Sequence, residues 1–321
     1  MARHELGPAA LAVAQAAAAC LPVDGDVVVG CSGGADSLAL ALGAAWAARR
    51  TTCRVKCIVV DHGLQEGSAE VAAATVVKLA ARGIDAAMVG VEIDSAAPGG
   101  PEAAAREARL AALSARGVPV LLGHTLDDQA ESVLLGLLRG SGTRAIAGMA
   151  PVRGPFLRPL LGLRRATTRR ACREWDLEWW EDPHNEDPRF ARVRARRYLS
   201  GLIGSLGRDV APALARTAEL ARIDADFLDQ LARDAVQGID LTEPLDAVLL
   251  LGVPTALRLR VLRDWLGVQG VQEATMTHLM AVDALVTAWR GQGAVALPGG
   301  RVARSTGLLV FERADRRATR R

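Results

Sequence analysis

Val27-Val28-Val29-Gly30-Cys31-Ser32-Gly33-Gly34-Ala35-Asp36-Ser37 is a β-branched run that breaks into a glycine-serine turn and then into helix-forming residues. A strand that enters such a turn ahead of a helix brings backbone amides together on one point, and the helix start adds partial positive charge. With the serine hydroxyls as further donors, the turn suits a pyrophosphate. It lacks the Gly-Lys-Ser/Thr ending of a Walker loop and the Gly-x-Gly-x-x-Gly of a dinucleotide turn. Asp36 would repel phosphate unless a cation intervened, so its presence argues for a Mg²⁺-bridged triphosphate with Asp36 on the metal. The competing reading is an ordinary turn with Asp36 as a helix cap.

Around this stretch, short apolar runs alternate with helical ones. Residues 58–60, 88–91 and 118–122 read as further buried strands, with helices over 35–49, 68–82, 102–116 and 127–138. The spacing predicts an α/β fold, a doubly wound parallel sheet with ligands at the carboxyl ends of its strands. Further on, a helix is expected over 164–175, a strand over 178–181 and a terminal hairpin from 295–302 and 308–311. The character changes near 208, giving an expected catalytic domain over 1–208 and a smaller, mainly helical domain over 209–321 that ends in the hairpin.

The chain has 321 residues, half of them apolar, and no apolar run reaches the roughly 20 residues that span a bilayer, so a soluble protein with no membrane partner is expected. The alanine-rich run at 9–21 ends near Cys20 but is weakly hydrophobic and is flanked by Glu5. It reads as an amphipathic helix, not a lipoprotein signal. Cys20, Cys31, Cys53, Cys57 and Cys172 form neither an even framework nor a C-x-x-C pair, so the reducing cytoplasm is the expected compartment. Residues 1–150 carry 12 basic and 15 acidic side chains, while 151–321 carry 27 and 21, so a polyanion would dock on the second half.

Two other strand ends carry polar clusters. Asp61-His62-Gly63-Leu64 puts His62 beside the phosphate turn, and Gly63 permits close approach of a base or ribose. Gly123-His124-Thr125-Leu126-Asp127-Asp128-Gln129-Ala130-Glu131-Ser132 sets three acids at a helix start, suited to capping, to Mg²⁺ or to an ammonium group. In Glu102-Ala103-Ala104-Ala105-Arg106-Glu107-Ala108-Arg109 the two arginines share a face that reads, without context, as solvated surface.

Together with Arg139-Gly140-Ser141-Gly142, Arg158-Pro159-Leu160-Leu161 and Asn185-x-Asp187, these motifs resemble the PP-loop (N-type) ATP pyrophosphatases, and within them the tRNA(Ile)-lysidine synthetase family. The resemblance covers most of the chain. It implies an adenine nucleotide alpha hydrolase-like fold and a ligase that uses ATP and Mg²⁺. ATP adenylates C2 of the wobble cytidine of a CAU-anticodon isoleucine tRNA, and L-lysine then displaces AMP.

The resemblance also implies roles. Asp36, Arg106, Glu131 and Arg196 would be catalytic; Ser32, Gly33, Gly34, Ala35, Asp36, Ser37 and His62 would bind ATP. Asp127, Asp128 or Glu131 would hold the lysine, and Arg164, Arg165, Arg169, Arg192 and Arg194 would meet tRNA phosphates. A homodimer is compatible with all of this. Two positions depart from the family pattern: His124-Thr125 stands for paired histidines, and Val193 for the asparagine of an Arg-Asn pair. The alternatives are a tRNA thiolase of the same superfamily, for which Cys53 and Cys57 are the close cysteine pair, and a nucleotide-binding module without catalysis.

Overall fold

The computed structural model describes residues 6–63, 67–93, 100–140, 142–271 and 274–314, without the side chains of Pro101 and Glu102. Glu5, Leu64, Ser141 and the Glu102 side chain therefore lie outside the described residues.

The chain divides into two compact units, Met1–Leu138 with Gly148–Ala218, and Arg139–Ala147 with Glu219–Arg321. The first begins with α1 (Pro8–Ala18), β1 (Asp26–Cys31), α2 (Ala35–Ala48), β2 (Arg54–Asp61) and α3 (Ser68–Ala80). There follow β3 (Asp85–Gly90), α4 (Gly100–Ser114), β4 (Val120–Leu122) and α5 (Leu126–Arg139). After the one-turn α6 (Thr143–Ile146), which belongs to the second unit, come β5 (Val152–Arg153), β6 (Phe156–Leu157), α7 (Arg165–Glu174) and α8 (Ala191–Leu206).

Among the described residues the sheet order is β3-β2-β1-β4-β6-β5, parallel except for the β5–β6 edge pair. Strand alternation sorts the core into two layers. Val27, Val29 and Cys31 join α1, α2, α3 and α7 on one face, whereas Val28, Ile58, Val120 and Leu122 meet Leu110 and Leu113 of α4 on the other. The chain winds from β1 outward to β3 and then returns to place β4 on the far side of β1. That reversal opens a crevice at the carboxyl ends of β1 and β4.

The strand expected over 178–181 does not form. Two of its backbone groups are used elsewhere: Lys78 Nζ of α3 donates to the Glu178 carbonyl, and the Trp180 amide donates to Gly33 O at 3.0 Å, while Arg82 holds the preceding turn through the Trp175 and Asp176 carbonyls. These bonds hold the segment as a strap against the glycine turn.

The unit division falls inside α9 (Ala211–Ala235), ten residues beyond 208, because a continuous helix carries the chain across it. The second unit adds β7 (Leu245–Asp246), α10 (Ala247–Leu251), α11 (Thr255–Val268) and α12 (Met276–Thr287). The expected hairpin is three strands, β8 (Val295–Leu297), β9 (Gly300–Ser305) and β10 (Leu308–Arg313), in an antiparallel sheet of order β7-β10-β9-β8. Trp265, Leu262, Leu266 and Leu279 fill its core. Among the described residues no helix is long and apolar enough to cross a membrane.

Candidate active site

A cleft of about 690 Å³ opens at the switch point, lined by Ser32, Gly34, Ala35, Asp36 and Ser37 from the turn and by His62, Gly123, His124 and Asp128 from the neighbouring strand ends. Gly33 holds φ at +83°, and a Cβ there would lie 2.6 Å from Thr75 Oγ1. Glycine is thus required both by the backbone and by the packing of the turn on α3. Ser37 Oγ accepts from the Ser32 amide at 3.1 Å and donates to Gly34 O at 3.0 Å, which ties the turn shut around the start of α2. Gly123 lets β4 end against that start, since its Cβ would meet Asp36 O and Ser37 Cα at 3.1 Å.

Arg165 gathers the acids. Its guanidinium contacts Asp128 Oδ1 at 2.5 Å, Glu131 Oε1 at 3.3 Å and Asp36 Oδ2 at 3.4 Å, while its amide donates to Asp127 Oδ2 at 2.7 Å. Asp36 also accepts from Thr168 Oγ1, one turn along α7. Burial pushes the Asp36 carboxyl up, and the Thr168 and Arg165 contacts only partly offset this. Burial would raise Asp128 too, but the Arg165 charge and two hydrogen bonds from Thr125 outweigh it and hold this carboxyl below its usual range. Both the Thr125 amide and its hydroxyl reach Asp128 Oδ2 at 2.7 Å. The residue that departs from the paired-histidine pattern therefore caps α5 and orients an acid of the cleft.

The expected site residues fall into three groups. Asp36 and Asp128 face the cleft, as do Arg169 and Arg196. Glu131 and Asp127 stand behind this wall: the Glu131 side chain is 2% exposed, with Oε1 on Arg196 Nε at 2.8 Å, and Asp127 holds Arg164 Nη2 at 2.9 Å. Arg106 is exposed on α4 and does not line the cleft, whereas Arg109, one turn on, does.

Of the arginines expected to meet tRNA, Arg164 bridges Asp127 and Asp209 and Arg165 is enclosed by carboxylates. Arg194 is exposed, its Nη1 shared between the Pro188 and Arg189 carbonyls; Arg169 pairs with Glu181 at 3.5 Å. Val193, the second departure, is buried at 6% exposure on α8.

Sequence reasoning missed Arg165 as the hub, Thr168, and the strap residues Trp179 and Trp180 that wall the cleft. The spacing of Arg165 and Thr168 on one helical face was the available signal. Arg109 and His124 gave none.

Two family descriptions match the chain: the PP-loop domain over residues 11–202 and the TilS substrate binding domain over residues 245–310. The tRNA(Ile)-lysidine synthase of Cutibacterium acnes is 49% identical over 98% of this chain and 99% of that protein. The one from Leifsonia xyli is 47% identical over 93% and 98%. Among solved structures, the U34-tRNA thiolase NcsA from Methanococcus maripaludis, with its [4Fe-4S] cluster, is similar at a TM-score of 0.54 and 18% identity, over 65% of this chain and 78% of that one. That likeness concerns the fold. With a phosphate turn at the switch point, acids gathered beside it and both matches spanning the two units, the chain belongs to the tRNA(Ile)-lysidine synthase family of PP-loop proteins.

Proposed function

We propose that this chain ligates L-lysine to C2 of the wobble cytidine of a CAU-anticodon isoleucine tRNA, in the cytoplasm, with ATP as the activating substrate. The observation that carries the reading is that one guanidinium, Arg165, reaches both the phosphate turn through Asp36 and the acid cluster through Asp128. An anion subsite at the turn and a cation subsite at the acids would thereby share one cleft.

Cytosine O2 attacks the α phosphorus, the bond to the β-phosphate oxygen breaks, and pyrophosphate leaves against the amides of the Ser32–Ser37 turn. The lysine ε-amine then attacks C2, AMP departs, and the surplus proton of the amine passes to a carboxylate. Asp127, Asp128 or Glu131 would hold the ammonium and take that proton, and of these Asp128 lines the cleft, with Oδ1 on Arg165 and Oδ2 on Thr125. Glu131 acts one layer back by fixing Arg196 and Arg165.

Asp36 fits one corner of a Mg²⁺ shell: it lies in the cleft wall at the phosphate turn. The shell's other oxygens would come from the triphosphate and water. Bound there, the ion would neutralise phosphate charge. Arg194, Arg192 and the second unit would supply the tRNA contacts.

The thiolase alternative lacks support from the cysteines. Cys53 precedes β2, at the opposite end of the strand from the cleft, and burial pushes both its thiol and that of Cys57 up, away from a reactive thiolate. Purified protein given ATP, labelled lysine and the CAU isoleucine tRNA is expected to label the tRNA and release AMP. Absence of label while ATP is bound would overturn the reading, and Asp36→Asn is expected to stop AMP release in a folded protein.

A further inference from the structure

α4 carries a cation that no described residue answers. Arg109 is half-buried in the cleft wall, and its Nε is buried without an acceptor among the described residues. Among the described residues no carboxylate forms an ion pair with it. Burial first, and then the charges of Arg106 and Arg192, hold its guanidinium below the ordinary arginine range. His124 lines the same wall with Nδ1 buried and unpartnered, and burial pushes its pKa down to about 3 despite the Asp128 charge, so the ring is neutral and keeps a nitrogen to offer.

Arg165 shows the usual solution in this protein. It is as deeply placed, and three carboxylates surround it. An arginine drawn partly out of water between two further arginines is costly unless something else supplies the anion. Nothing in the fold requires the charge there: on the core side α4 presents Leu110 and Leu113 to the sheet.

We infer that Arg109 and His124 form a second phosphate-binding subsite of the cleft, on the α4 face of the sheet and distinct from the Ser32–Ser37 turn on the α2 face. The excess of positive charge favours phosphate over the single carboxylate of an amino acid. Two sources share this chemistry, the α-phosphate of ATP as it passes to AMP and a backbone phosphate beside the target cytidine. The inference deepens the function proposed above and rests on it only for the source of the ligand.

Arg109→Met removes the charge and keeps most of the side chain's bulk. Because the lost cation was unanswered, the variant without ligand is expected to melt about 1–3 °C higher than the parent, whereas an arginine with a structural role would lower Tm. AMP and a CAU anticodon stem-loop are the probes, each titrated against both proteins. A loss of at least about tenfold in AMP affinity assigns the pocket to the nucleotide. A similar loss for the stem-loop, with the salt dependence of binding reduced by about one phosphate, assigns it to tRNA. A lower Tm, unchanged affinity for both probes, or an effect confined to the binding of lysine would overturn the inference. These readouts do not need turnover, so a parent protein that makes no lysidine would sink the proposed function and leave the pocket to be judged by itself.

Discussion

Gly33 meets two independent requirements, a left-handed φ of +83° and 2.6 Å of clearance to Thr75 Oγ1. Gly33→Ala is therefore expected to cost about 1–3 kcal/mol in denaturant unfolding and to weaken ATP binding. Adding Thr75→Ala should recover only the part due to the clash. His124 gives the site a pH dependence. Its folded pKa of about 3 lies below the ordinary value near 6.5, so on acidification the unfolded chain takes the proton first. Its contribution to stability is complete above pH 6.5 and falls toward pH 3, by up to about 1.4 kcal/mol per pH unit. Asp128, held low, acts in the same direction below about pH 4, while Asp36, held high by burial, opposes it. Unfolding free energies at pH 7 and pH 5 should differ less in His124→Asn than in the parent; equal slopes would show that His124 is not the group responsible.

At the scale of elements, periodicity was enough to find β1 to β4 and the helices between them, because β1, β2 and β4 are apolar runs with buried centres and α3 buries one side through Ala72, Thr75 and Leu79. It misread 178–181, where tryptophans suggested a strand but Lys78 of α3 takes the Glu178 carbonyl and the glycine turn takes the Trp180 amide. The start of α5 illustrates a cap that also serves the site. Thr125→Val deletes the hydroxyl that donates to Asp128, so a loss of about 1 kcal/mol is expected in unfolding, together with a higher KM for lysine. Thr125→Ser should be close to the parent in both. If Val were tolerated as well as Ser, Thr125 would have no part in positioning Asp128.

For the molecule as a whole, the two units rest on different cores. The second contains a buried pair, Arg258 Nε on Asp283 Oδ1 at 2.5 Å, with both residues 6% exposed. Asp283→Ala leaves that guanidinium unpaired and is expected to cost about 3–5 kcal/mol, read as faster hydrogen exchange in α11 and α12, while Arg258→Met with Asp283→Leu should be far milder. A mild single variant would mean that the pair is dispensable. The PP-loop layer and its phosphate turn were legible from residues 27–37, because a strand, a glycine turn and a helix start are local events governed by backbone sterics and a local dipole. The sorting of the arginines was not. Arg109 and Arg165 look alike in sequence, and the tertiary fold decided that one is enclosed by acids more than 30 residues away while the other faces the cleft among like charges. Charge pairing depends on which distant elements share a wall, and a linear chain does not carry that distance.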